Sequence, residues 1–139
     1  MPALRISPAL ATLAASLALS LAAPARAQDE SVGKALFASN CAACHGETAK
    51  GDGDMAGVMT IPAPDLTLLA RQNDGTFPFL KVFHVIDGRT GVRSHGNPMP
   101  VFGRSFEAAQ GGADNPFGAV IEARGKVMSI ALYLESLQR

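Results

Sequence analysis

Apolar residues recur at helical spacing in several stretches of this chain, and nowhere do apolar and polar residues alternate as they would along a half-buried strand. The most regular stretch is late. Val127, Ile130, Tyr133, Leu134 and Leu137 form an apolar stripe, with Lys126, Glu135 and Gln138 on the other side, which predicts an amphipathic helix. Far upstream, Gly33, Phe37 and Cys41 fall at i, i+4 and i+8 within VGKALFASNCAACH and so share one helical face. Ser31 is placed to cap that helix, and Glu30 ahead of it complements the positive N-terminal end. Asp65 after Pro64 is placed to cap LTLLARQ, and Thr76 to cap FPFLKVFHVID, where Pro78 suits a first turn and Gly88 a C-terminal stop. The predicted class is all-α, with long loops such as GETAKGDGDMAG between helices.

Residues 1–27 stand apart from this pattern. Arg5 supplies a basic flank, Leu10 to Ala23 are almost wholly apolar, and ARA precedes Gln28, which together read as a cleavable secretory signal peptide directing export to the periplasm. The apolar run is short and rich in Ala and Ser for a bilayer span, so membrane attachment is expected only if this segment stays uncleaved. The remaining residues, 28–139, are enough for one small domain with one core.

Removing Arg5 and Arg26 leaves ten basic residues against twelve acidic ones, a net charge of −2. With seven Phe, no Trp and no basic stripe, nucleic acid is not an expected partner. Fourteen glycines and nine prolines are many for a helical domain, and loops of that kind commonly wrap a bound group.

The chemistry concentrates in CAACHG, which holds the chain's two cysteines, Cys41 and Cys44, followed at once by His45. Exported proteins often pair their cysteines in a disulfide, but this spacing also suits a redox dithiol, half a zinc site or a haem anchor. A redox dithiol belongs beside a βαβ pattern, which is missing here, and zinc would have only His84 and His95 to add to His45. The haem reading uses every residue. Two thiols on one helical face can each bond to a porphyrin vinyl group while the adjacent His45 places its imidazole under the iron.

A second axial ligand has to come from elsewhere. Met128 lies beside the late apolar stripe and reads as packing, while Met55 and Met59 follow His45 so closely that neither is expected to reach the opposite face. Met99 stands in HGNPMPVFG, where prolines on both sides stiffen an extended loop, far enough along the chain for it to travel round a porphyrin. Its soft, neutral thioether favours ferrous iron and raises the potential. His95, four residues earlier, competes for the iron or for a propionate, and His84 sits inside an apolar helical run.

These residues give the chain its likeness to a family. VGKALFASNCAACH resembles the opening helix of class I c-type cytochromes, and VMSIALYLESL resembles the closing one, with Ile130 and Tyr133 where an aliphatic and an aromatic residue cross the first helix at a small residue, here Gly33. AKGDGDMAG, PAPDLT, VIDGRTG and MPVFG are similar to stretches of bacterial periplasmic monohaem members. The resemblance implies a small cytochrome c fold whose terminal helices cross and whose loops wrap one covalently bound haem c. It further implies that a backbone carbonyl, of Pro62 or Pro64 in this chain, accepts from the proximal His45 and sets its tautomer. Arg71, Arg89, Arg93 and Arg104 are the candidate partners for the propionates.

The expected function is periplasmic single-electron transfer, relayed through a six-coordinate iron that leaves no site for a substrate. The partners are redox proteins met briefly over less than ~1,200 Å². The contact is expected at the haem edge, ringed by Ala42, Ala43 and the Met99 loop, with little steering from Lys34, Lys50, Lys81 and Lys126. The alternatives are the cytochrome subunit of a periplasmic dehydrogenase or respiratory complex, and a gas-binding or sensory haem protein.

Overall fold

The computed structural model describes residues 24–89, 99–109 and 115–139, with side chains from residue 30 onward. Five α-helices form among these residues: α1 (Pro24–Asn40), α2 (Ala42–His45), α3 (Phe79–Asp87), α4 (Phe102–Ala109) and α5 (Pro116–Ser136). No strand forms among them, so the all-α expectation holds.

The frame is the packing of α1 on α5, the most extensive contact between helices, with α3 and α4 leaning on the same α5. The two long helices touch at Gly33. A Cβ there would collide with the Ser129 carbonyl oxygen and come within 2.8 Å of Tyr133 Cβ, so the hydrogen side chain is what lets the backbones approach. One turn on, the Phe37 and Tyr133 rings pack with centroids 5.6 Å apart. Phe37, Val127 and Ile130 are almost free of solvent, and the predicted stripe of α5 is buried as far as Leu134, with Leu137 half-buried just past the helix end. Met128 departs from its expected packing role: it is 43% exposed, on the outer face of α5.

Helix boundaries differ from expectation in instructive ways. Helix α1 begins at Pro24 rather than at a Ser31 cap, because nothing in PARAQDE breaks a helix and proline suits a first turn. Helix α3 starts at Phe79 with Pro78 at its cap position, three residues after Thr76, and ends as expected at Gly88, whose φ is +89°. Helix α4 has no counterpart in the sequence reading. It is eight residues long and buries Gly103 and Phe106, too short a run for periodicity to declare.

The largest departure is LTLLARQ. Asp65 does cap it, accepting from the Thr67 amide at 2.9 Å, but the chain then makes two single 3-10 turns, Leu66–Leu68 and Arg71–Asn73, rather than an α-helix. The reason is tertiary. In an α-helix the Ala70 amide would donate to the Leu66 carbonyl; here Gln138 stands between them, its Oε1 accepting from Ala70 at 2.9 Å and its Nε2 donating to Leu66 at 2.9 Å. The Thr67 carbonyl likewise accepts from the Arg139 amide at 3.2 Å.

Asp65 is held below the usual carboxylate range, chiefly by the Thr67 hydroxyl at 2.6 Å, helped by the Thr67 amide and by Arg139 at 3.1 Å, with partial desolvation working the other way. A carboxylate with a depressed folded pKa stabilises the fold above its unfolded pKa and loses that contribution as pH falls through the folded value. Asp65→Asn should therefore be less stable than the parent at pH 7, and the gap between their urea midpoints should close below about pH 4. A gap that stays constant from pH 7 to pH 3 would show that the charge of Asp65 does not matter.

Candidate functional site

The chemistry-bearing residues sit at the end of α1. The Cys41 amide still donates to the Phe37 carbonyl at 2.8 Å, so the chain passes almost helically into α2, with a widened φ of −121° at Cys41 itself. The His45 amide closes the next turn on the Cys41 carbonyl at 2.9 Å. Gly46 then leaves the helix at φ +76°, a conformation open to glycine, in a place where a Cβ would also meet the Asp52 carboxylate. Beyond it the loop folds back: the Gly51 amide donates to the His45 carbonyl at 2.8 Å, Met55 to Ala43 at 2.9 Å, and Leu66 to Ala49 at 2.8 Å.

These turns enclose a cavity of about 440 Å³, within the ~300–1,000 Å³ usual for small-molecule and cofactor sites. Cys41, Cys44, His45 and Met99 all stand on its walls, brought together from two segments far apart in sequence. Apolar side chains make most of the rest, including Phe37, Leu66, Val82 and Ile86, with Ile130 and Leu134 of α5 behind them. Asn40, Gln72, Asn73 and Lys81 are the other polar residues of the lining, and Lys81 is the charged one among the described residues.

Local electrostatics favour neutral forms. Burial pushes the Cys41 thiol up to about 11, and the neighbouring Cys44 adds in the same direction. A thiol that stays protonated at neutral pH is poorly suited to disulfide exchange, which needs a thiolate. Burial also lowers the His45 pKa, which keeps the imidazole neutral and able to ligate a metal; the Pro64 carbonyl pulls the other way. That carbonyl stands near the ring without closing a bond to it, since Nδ1 is buried and has no partner within hydrogen-bonding geometry among the described residues. Of the two candidate carbonyls, Pro64 is the one whose influence reaches the ring.

A comparison with protein families matches residues 31–114 to Cytochrome c. The chain belongs to the cytochrome c family. Membership implies a covalently bound haem c and electron transfer by it. Comparisons of the cytochrome with curated proteins and with solved structures each returned no match. The family match stops before α5, yet the cytochrome's closing helix supplies the partner of Gly33 and a wall of the cavity.

The cavity fits such a group. It is apolar, and it brings two thiols, a thioether and an imidazole that burial keeps neutral onto one wall, a donor set that suits covalent attachment and iron ligation. Among the described residues, several peripheral candidates of the cytochrome stand away from the cavity wall. Arg71, Arg89 and Arg104 are exposed and off the cavity wall, and Arg89 instead pairs with Asp87 on the turn after α3. Ala42 and Ala43 face a separate polar hollow with Glu47, Asp52 and Asp54. His84 is half-buried and edge-on to Phe83, away from the cavity. Met55 is exposed, but Met59 does reach the cavity wall, because the folded-back loop carries it there. His95 and Arg93 lie outside the described residues.

Proposed function

We propose that this protein is a periplasmic carrier of single electrons, holding one haem c through thioethers at Cys41 and Cys44, with His45 and Met99 as the axial ligands of its iron. The observation that carries this reading is the placement of both thiols, the imidazole and the Met99 thioether on one apolar cavity. Haem bound there supplies an iron that takes up and gives back one electron.

The residues of the chain do the rest. Burial keeps the His45 imidazole neutral, so that it offers a lone pair rather than a charge. Met99 offers a soft thioether that favours the reduced metal. Phe37, Ile130 and Leu134 exclude water and lower the local dielectric, which holds the potential where the ligands set it. Ligands from both segments would leave a bound iron no open position for a substrate, which supports a relay rather than a catalyst.

The amino-terminal sequence pattern supports the periplasmic setting. The pattern of residues 1–27 is that of a signal peptide, and cleavage before Gln28 would start α1 with Asp29 and Glu30 in its first turn, where acidic residues stabilise a helix. Partners would meet the mouth of the cavity, where Ile61 and Val85 are exposed beside Lys81, through mixed apolar and weakly charged contact. A subunit of a larger periplasmic oxidoreductase would use the same residues, and co-purification with a larger redox protein separates that role from a free shuttle.

The test is the mature protein made in cells able to attach haem. Its reduced spectrum in pyridine should show both vinyl groups saturated, and its intact mass should exceed the polypeptide's by one haem, with residues 1–27 gone. Colourless protein carrying a Cys41–Cys44 disulfide would reject the reading.

A further inference from the structure

The hydrogen bonds that open LTLLARQ are unusual in where they come from. Gln138 occupies the gap between the Leu66 carbonyl and the Ala70 amide, bonding both at 2.9 Å, and its Nε2 also donates to the Leu134 carbonyl of α5 at 2.7 Å. Arg139 holds the same turn through three contacts. Its amide donates to the Thr67 carbonyl at 3.2 Å, its Nε to the Thr67 hydroxyl at 2.8 Å, and its guanidinium to the Asp65 carboxylate at 3.1 Å. Thr67 is itself buried, so the bonds to it and to Gln138 are partly shielded from water, while the Arg139–Asp65 pair stays open to solvent.

This turn is also the support of the proximal side. Pro64, whose carbonyl stands against His45, directly precedes Asp65, and Leu66 and Leu69 from the turn are cavity walls. On the other flank the Leu66 amide is tied to the Ala49 carbonyl at 2.8 Å, and Gly51 packs so closely on the Ala63 carbonyl that a Cβ would collide with it. The segment is thus gripped from the loop after His45 on one side and from Gln138 and Arg139 on the other.

We propose that Gln138 and Arg139 are positioning residues for the proximal histidine: by clamping the Asp65–Ala70 turn they fix where the Pro64 carbonyl stands relative to the His45 imidazole. The inference rests on His45 being an iron ligand, the role proposed for it in haem binding. A carbonyl held close to Nδ1–H makes the imidazole a stronger donor and favours the oxidised metal. Loosening the clamp lets the carbonyl drift, weakens that donation and favours the reduced metal.

Four holoprotein variants test this. Gln138→Met keeps the length of the side chain but loses both bonds to the turn; Arg139→Ala removes the two side-chain contacts to Thr67 and Asp65 and keeps the amide bond; Arg139→Lys keeps the charge toward Asp65; Lys126→Ala disturbs the distant Glu122 pair and the Phe106 face without touching the turn. At a fixed solution potential, Gln138→Met and Arg139→Ala should each raise the ferrous-to-ferric ratio threefold to tenfold, tenfold being 59 mV for a one-electron couple. Hydrogen exchange at the Ala70 amide should quicken in step. Arg139→Lys should recover part of the change, and Lys126→Ala should leave the ratio alone whatever it does to the melting temperature.

An unchanged ratio in Gln138→Met with faster exchange at Ala70 would overturn the inference, leaving the clamp a purely structural one. A ratio that shifts equally in Lys126→Ala would also overturn it, since general loosening would then explain the effect. Should Gln138→Met fail to fold, Gln138→Glu retains the acceptor for Ala70 and carries the same prediction at smaller size. Parent protein without covalent haem would instead reject the function itself, a result readable before any variant is compared.

Discussion

Gly33→Val should cost about 3 kcal/mol or more of folding stability, near the upper end for forcing extra atoms into a packed interior. The first added carbon already collides with the Ser129 carbonyl, and backbone in the middle of α5 cannot move aside as a flexible side chain can. The helices would have to separate, and separation would unseat Phe37 from Tyr133 and open the cavity wall at Ile130 and Leu134. For a domain of this size the melting temperature should fall by roughly 10 °C or more. Cys41, Cys44 and His45 lie further along the helix, so haem that is attached should keep a normal spectrum below the lowered transition. A valine variant that melts with the parent would mean that the crossing has room to spare.

Met99→Ala should have the largest effect on electron transfer. The ferric parent should show the far-red band of sulfur-to-iron charge transfer, and the variant should lose it. The potential should fall by a substantial part of the roughly 0.8 V over which axial ligands tune haem, because the soft thioether that favours the ferrous state is gone. Met59→Ala is the necessary companion, since Met59 shares the cavity wall. Its band and potential should match the parent's. If the band instead survives in Met99→Ala and disappears in Met59→Ala, the assignment of the sixth ligand is reversed.

The features legible in the sequence are local or periodic. Cys41, Cys44 and His45 lie within one helical turn, so their spacing alone implies a shared face, and the α5 stripe announces itself by repetition over several turns. Gly33 is legible as a crossing because the family likeness assigns it a partner; its contact with Ser129 and Tyr133 agrees. The features hidden in the sequence depend on distant segments. LTLLARQ looks helical by composition, and only a glutamine nearly seventy residues later diverts its hydrogen bonds. Met59 is close to His45 along the chain, but the Met55 amide bonds back to Ala43, a 3-10 turn follows at Ala56–Val58, and the extended backbone at Met59 brings it to the cavity. Charge alone singles out the arginines, whereas the polar residues at the wall are Asn40, Gln72, Asn73 and Lys81, whose polarity carries no spacing signal.

The division of labour between α1 and α5 has an implication for assembly. In the export proposed above, a chain threaded amino end first would present Cys41, Cys44 and His45 well before Ile130 and Leu134 emerge to cover them. During that interval both sulfurs would be open to reaction, and arrival of the last helix would then shut the compartment over them.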